Sequence, residues 1–293
     1  MKSSKLLLAI AAGSLWVGSA QAALLVDNWT LDANAIAGEG LSFSISGINS
    51  ITYHAVAHAV STDANSDGIP DIGDSFNTTG YGYATGFFGS GGSPLNNYLL
   101  NQTSPAGWEL TFAWTAGGTF IPPSAGSDRD FTHTATGSIA FYAENLTSGT
   151  QANFNNAASF TGGTKIAQFD LLAGEGGVLH LATFDGADDA NFLIDMANTL
   201  SGVLLSSGGT DLSTLATLGM HSDSNFDSNP NQTQPAGFNL TVGAFNCGQT
   251  ATDFCATEDG SNVLTVPEPG SLALMGLGLM GLAAGIGRRR IRT

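Results

Sequence analysis

The strongest constraint on this chain is an apolar/polar alternation with a period of two residues. In "LSFSISGI", Leu41, Phe43 and Ile45 fall on one face, and Ser42, Ser44 and Ser46 on the other. In "WELTFAW", Trp108, Leu110, Phe112 and Trp114 alternate with Glu109, Thr111 and Ala113. "SIAFYA", "KIAQFDLL", "VLHLATF" and "FNLTVGAF" read similarly. Successive side chains of a strand point to opposite faces, so each run reads as a half-buried strand. Gly, Asn and Asp clusters separate the runs. The pattern predicts an all-β fold, an antiparallel β-sandwich or jelly roll. "KIAQFDLLAGEGGVLHLATF" reads as a hairpin turning at residues 174–177. Helical spacing occurs only at 190–200, where Phe192, Met196 and Leu200 lie four apart, and at 211–218.

The two ends obey different rules. Lys2 and Lys5 precede an apolar stretch, and Ala20-Gln21-Ala22 is a small-x-small cleavage site. This is the form of a secretory signal peptide cut after Ala22. At the other end, residues 272–286 carry no charge. As a helix this run would be about 22 Å long, short of a bilayer core of ~30 Å. Four glycines weaken it further. Arg288, Arg289, Arg290 and Arg292 would hold its C-terminus on the cytoplasmic side. Both ends therefore describe export with a temporary halt in the inner membrane. The expected organisation is a signal peptide over 1–22, a secreted β-rich domain over 23–265 and a tail over 266–293.

Between the ends, charge is one-sided. Residues 23–266 keep two cations, Arg129 and Lys165, against 23 carboxylates, hence a formal charge of −21. Phosphate binding needs Lys and Arg, so nucleic acid is excluded as a partner, and an anionic membrane surface with it. A body so charged repels itself unless cations are near, and outside the cell divalent cations are the natural candidates.

The sharpest chemical motif is "DANSDGIPDIGD", residues 63–74. Side-chain oxygens fall at its first, third, fifth, ninth and twelfth positions: Asp63, Asn65, Asp67, Asp71 and Asp74. Gly68 stands where a calcium loop turns sharply, and Ile69 would offer its carbonyl. The motif resembles the loops of EF-hands, and more closely those of dockerins. It departs from them at Pro70 and in having no flanking helices. The alternative is an acidic turn between strands. Cys247 and Cys255 stand eight apart, and export places them where a disulfide forms. His54 and His58 share a strand face about 13 Å apart, too far for one metal. No Gly-x-Ser-x-Gly elbow, His-Glu-x-x-His pair or phosphate loop is present, and no carboxylate pair is singled out. The chain is therefore expected not to be an enzyme.

Pro267-Glu268-Pro269, an apolar run and an arginine cluster together resemble the three-part PEP-CTERM sorting tail. The resemblance covers about the last 27 residues. It implies recognition and removal of the tail by an exosortase, in exported proteins of Gram-negative bacteria that make exopolysaccharide. The body resembles the flocculation-associated members of that family in its Asp/Gly loop ending "GDSF", strand-rich middle and late Cys pair. The expected function is that of a cell-surface or matrix protein, structural or adhesive in biofilm or floc formation, with extracellular polysaccharide as partner and Ca²⁺ as cofactor. The alternative is a calcium-dependent carbohydrate-binding module. Its aromatic platform would draw on Tyr81, Tyr83, Trp108 and Trp114. One echo, "NQTSPAGWELT" at 101 and "NQTQPAGFNLT" at 231, reads either as a duplicated edge element or as one turn used twice.

Overall fold

Strand length decides the architecture. β4 (Ser50–Ser61), β5 (Ser75–Phe88), β6 (Trp108–Ile121) and β7 (Arg129–Asn145) run 12, 14, 14 and 17 residues. Strands this long accumulate enough twist and tilt for a sheet to curl onto itself. The computed structural model describes residues 23–102, 107–124, 128–147, 149, 151–181, 185–227 and 252–267. The remaining strands are β1 (Ala23–Leu25), β2 (Trp29–Asp32), β3 (Ser44–Ile48), β8 (Thr164–Leu171), β9 (Gly176–His180), β10 (Asp185–Ile194), β11 (Leu204–Leu205), β12 (Gly219–Asp227) and β13 (Asp253–Pro267). Contacts divide the chain into two units, of which Leu25–Val266 is described here.

Within that unit the sheet closes. The order is β4-β5-β6-β7-β8-β10-β12-β13, and β13 returns to β4 from the Asp253–Val60 pair to the Asn262–Ile51 pair. All-β and antiparallel are as the alternation predicts. The sandwich is corrected to an eight-stave barrel. Period two reports that each strand has a buried face; it does not report whether that face looks at a second sheet or at a barrel axis. Irregular register at Thr52/Tyr53, Ala116/Gly118 and Phe141/Tyr142 supplies the bends that closure needs.

The predicted hairpin at 165–184 does not form among the described residues. β8 and β9 lie end to end, both antiparallel to β7 and to β10. They are one stave broken at residues 172–175, where Gly174 takes φ +122°, a conformation other residues resist. The helical spacings are also overridden. Residues 190–194 belong to β10, and only single 3₁₀ turns, Met196–Asn198 and Leu212–Thr214, follow within those windows. Among the described residues no helix is long and apolar enough to cross a membrane. The predicted signal peptide, the apolar run of the tail and the second copy of the echo lie outside the described residues.

A small sheet, β11-β2-β3, closes one end of the barrel. Its Trp29, Leu31 and Leu204 meet Leu110, Phe141, Ile166 and Phe169 of the staves in a dry core. At the other end Phe76, Phe120, Phe131 and Phe254 form a separate aromatic cluster. Fitting rings inside a narrow barrel requires glycine opposite them: a Cβ at Gly80 would run into the Trp114 indole. A third cluster lies outside the staves, where residues 151–161 fold back and set Phe160 against Tyr81 and Val56.

Candidate functional site

Between the two apolar ends, the barrel axis crosses a polar layer. Five staves contribute. Tyr53 comes from β4, His133 from β7 and Asp188 from β10. Ser222 and Ser224 come from β12, and Glu258 and Asn262 from β13. These side chains line an internal cavity of about 60 Å³ and a second of about 30 Å³. The layer forms because these residues occupy the inward phase of otherwise apolar strands. Glu258 alternates in step with Phe254, Ala256 and Leu264, and Asp188 with Ala190 and Phe192.

Hydrogen bonds satisfy only part of it. His133 Nε2 pairs with Asp188 Oδ1 at 2.8 Å. Tyr53 Oη lies 3.2 Å from Ser222 Oγ. The Tyr53 hydroxyl sits over Gly260, where a Cβ would stand 2.7 Å away. Asn262, 4 % exposed, has no partner for either its Nδ2 or its Oδ1. His133 Nδ1, on a side chain equally enclosed, also lacks one; the Gly117 carbonyl lies near that imidazole without hydrogen-bond geometry. Buried polar groups left open in this way cost free energy, so each calls for an explanation.

The layer's charges are set by each other. Burial pulls the His133 imidazole down, but the bond to Asp188 and its charge more than offset this and leave the pKa raised. Burial, with Asp188 nearby, pushes the Glu258 carboxyl up to about 8. At neutral pH Glu258 therefore keeps its proton. Burial also raises the Tyr53 phenol, with Glu258 adding to it.

The acidic loop stands at the aromatic end, between β4 and β5. Gly68 takes φ +84°, the sharp turn expected of it. Asp63 accepts from the N–H groups of Asp67 and Gly68 at 3.2 and 2.8 Å, and Asp67 accepts from Ile69 N–H at 2.9 Å. Asn65 Nδ2 donates to Asp67 and Asp71, and the buried Asp74 accepts from Asp71 N–H at 2.9 Å. Arg129, remote in sequence, donates to the Pro70 carbonyl and brings a guanidinium nitrogen within 3.7 Å of Asp71. Arg129 comes to the loop because β5, β6 and β7 are successive neighbours in the sheet. Among the described residues no group of three or more His, Cys, Asp or Glu side chains stands in an arrangement that holds a metal.

Other predicted residues fall as follows. His54 and His58 face outward on β4. His54 packs edge-on against Tyr83, and His58 bonds Asp253 at 2.8 Å. Trp108 and Tyr81 are buried, and Trp114 lines the internal cavity, so these three do not form an exposed aromatic platform. Cys255 is buried on β13, while Cys247 lies outside the described residues. Ala22, Glu268, Pro269, Arg288, Arg289 and Arg290 also lie outside them, and Pro267 ends β13. The polar layer was missed from sequence, although its signal was present: a Glu, an Asp and a His in the apolar phase of three strands.

Fold and layer together define a closed antiparallel barrel with a polar interior. The tail places it further. Residues 265–290 match the family model described as the PEP-CTERM protein-sorting motif. No curated protein matches the chain. The motif implies an exported, cell-surface protein processed by an exosortase.

Proposed function

We propose that the mature chain, from 23 to the processing point near Pro267-Glu268-Pro269, is a structural or adhesive component of an exopolysaccharide-linked matrix in a Gram-negative bacterium. The observation that carries this is the sorting motif on a barrel whose interior holds only small cavities. A cavity of about 60 Å³ is too small for a sugar ring, so a polysaccharide partner would meet the outer faces and loops. Those faces present Thr, His, Asn and Asp, the reverse of the apolar exterior of a membrane-spanning barrel. Processing passes through a transient inner-membrane stage held by the tail arginines.

Calcium at residues 63–74 belongs to this reading. Four carboxylates share one short loop with a single guanidinium, and an added cation relieves their repulsion. The test combines cells and mass spectrometry. The secreted protein should lack residues 288–293, Glu268→Ala should leave a membrane-bound precursor, and deletion of the gene should weaken flocs or biofilm while polysaccharide output stays unchanged. Recovery of the intact tail from the secreted fraction defeats the processing step. Unchanged flocs in the deletion strain defeat the matrix role.

A further inference from the structure

We propose that the polar layer inside the barrel is a binding site for a compact organic ammonium ion, which enters in exchange for a proton on Glu258. The argument begins with charge. Asp188 and Glu258 both face the 60 Å³ cavity, and among the described residues the only basic side chain lining it is His133, bonded to Asp188. One histidine stands against two carboxyl groups. Burial together with Asp188 holds the Glu258 carboxyl well above its ordinary value and so keeps a proton on it. A cation placed beside Glu258 can take over the role of that proton. The exchange balances: the ammonium binds, the carboxyl ionises, and one proton leaves for solvent.

The walls select the kind of cation. Phe76 and Phe131 flank His133 with ring centroids 6.2 and 5.8 Å away, and Phe226 and Phe254 line the same cavity. Aromatic faces attract a weakly hydrated organic cation, and the attraction grows when water is excluded. A hydrated metal ion would need several oxygen ligands at short range, and among the described residues no such group is present. Size narrows the choice further. A cavity of about 60 Å³ has room for a few waters, the scale of a small alkylammonium with its accompanying water.

A second observation points to a ligand independently of the acids. Asn262, buried to 4 % exposure, lines the adjoining 30 Å³ cavity with both amide atoms unpartnered. An ammonium with its accompanying water would give its carbonyl oxygen a donor. The groups facing Glu258 are Tyr53 on β4, His133 on β7 and Asp188 on β10; β5, β6, β9 and β12 contribute Thr78, Trp114, Leu179 and Ser224, none of which titrates near neutrality.

The test uses the full chain and methylammonium chloride, with sodium chloride at equal ionic strength as control. Methylammonium should raise the melting temperature more than sodium does, by several degrees at pH 9. The gain should shrink at least severalfold at pH 6, where the proton competes. Glu258→Gln should lose the difference. Should that variant not fold, the wild type decides by NMR: the methyl protons of methylammonium should show contacts to the rings of Phe76 and Phe131. Equal melting curves in the two salts at pH 9, a response undiminished in Glu258→Gln, or absence of those ring contacts would each overturn the site.

Discussion

The structure treats two of its carboxylates differently, Glu109 outside the barrel wall and Glu258 inside it. Glu109 projects outward from β6 and is 1 % exposed beneath residues 151–161. Both its oxygens accept from Ala152 N–H, at 3.1 and 2.9 Å. Burial and Glu144 push its pKa up to about 7, and the Ala152 bond restrains the rise. Glu258 projects inward from β13, and burial with Asp188 pushes it up to about 8 with no hydrogen bond offsetting them. The difference teaches where backbone donors are to be found. Outside the wall a covering segment can bend to offer an N–H. Inside it, every stave amide is already committed to the ladder, so a carboxylate there relies on side chains or on its own proton.

The largest expected effect separates the two regions by cooperativity. Phe169→Ala, in the capped end of the barrel, should cost about 3–5 kcal/mol and shift the whole denaturation curve. Phe160→Ala, in the outer covering segment, removes a ring just as buried. There, hydrogen exchange should speed up in residues 151–161 while the stave amides of β6 and β7 stay protected. Global unfolding by both variants alike would break the distinction.

The second effect tests the carboxylates themselves. A raised carboxyl binds its proton more tightly in the folded state, so stability falls as pH rises from the unfolded value of about 4.5 through the folded value. For Glu258 the loss extends to about pH 8 and should reach about 5 kcal/mol; for Glu109 it ends near pH 7 and should be about 3 kcal/mol. Glu258→Gln and Glu109→Gln should each flatten that part of the profile, measured by urea midpoints between pH 4 and 9. A wild-type curve that rises across this window counts against both assignments.

Smaller effects belong to the cysteines and to the acidic loop. Alkylation of the exported protein without reductant should label neither Cys247 nor Cys255, and Cys247→Ala should cost about 2–3 kcal/mol. Millimolar calcium should raise the melting temperature by a few degrees, or ~1.4 kcal/mol at tenfold above Kd, and magnesium by less. Asp67→Ala should remove most of that gain. Arg129→Ala should enlarge it, because the guanidinium already neutralises part of the loop. A calcium response unaffected by Asp67→Ala would leave the loop an acidic turn.

Much of this was legible residue by residue. The alternation in Trp108, Leu110 and Phe112 located a strand and its buried face, and Gly68 marked a turn that needs a positive φ. What alternation does not encode is which strand follows which around an axis. The pairing of β13 with β4 joins residues nearly two hundred apart, as in the bond between His58 and Asp253. Arg129 reached the acidic loop through strand neighbours that alternation does not name either. Glu258 and Asp188 stood in the inward phase of their strands, but inward acquires its meaning only once the walls are known to meet.

Closure also bears on how such a protein behaves when it is secreted in quantity. An open sheet ends in strands whose unpaired amides and carbonyls invite another chain to add on, the route to fibrils. Here the last stave spends those groups on the first, and the small capping sheet ends in β3 and β11, only five and two residues long. Crowded copies can therefore stay individually folded, because the described staves leave no long open edge for another chain to extend.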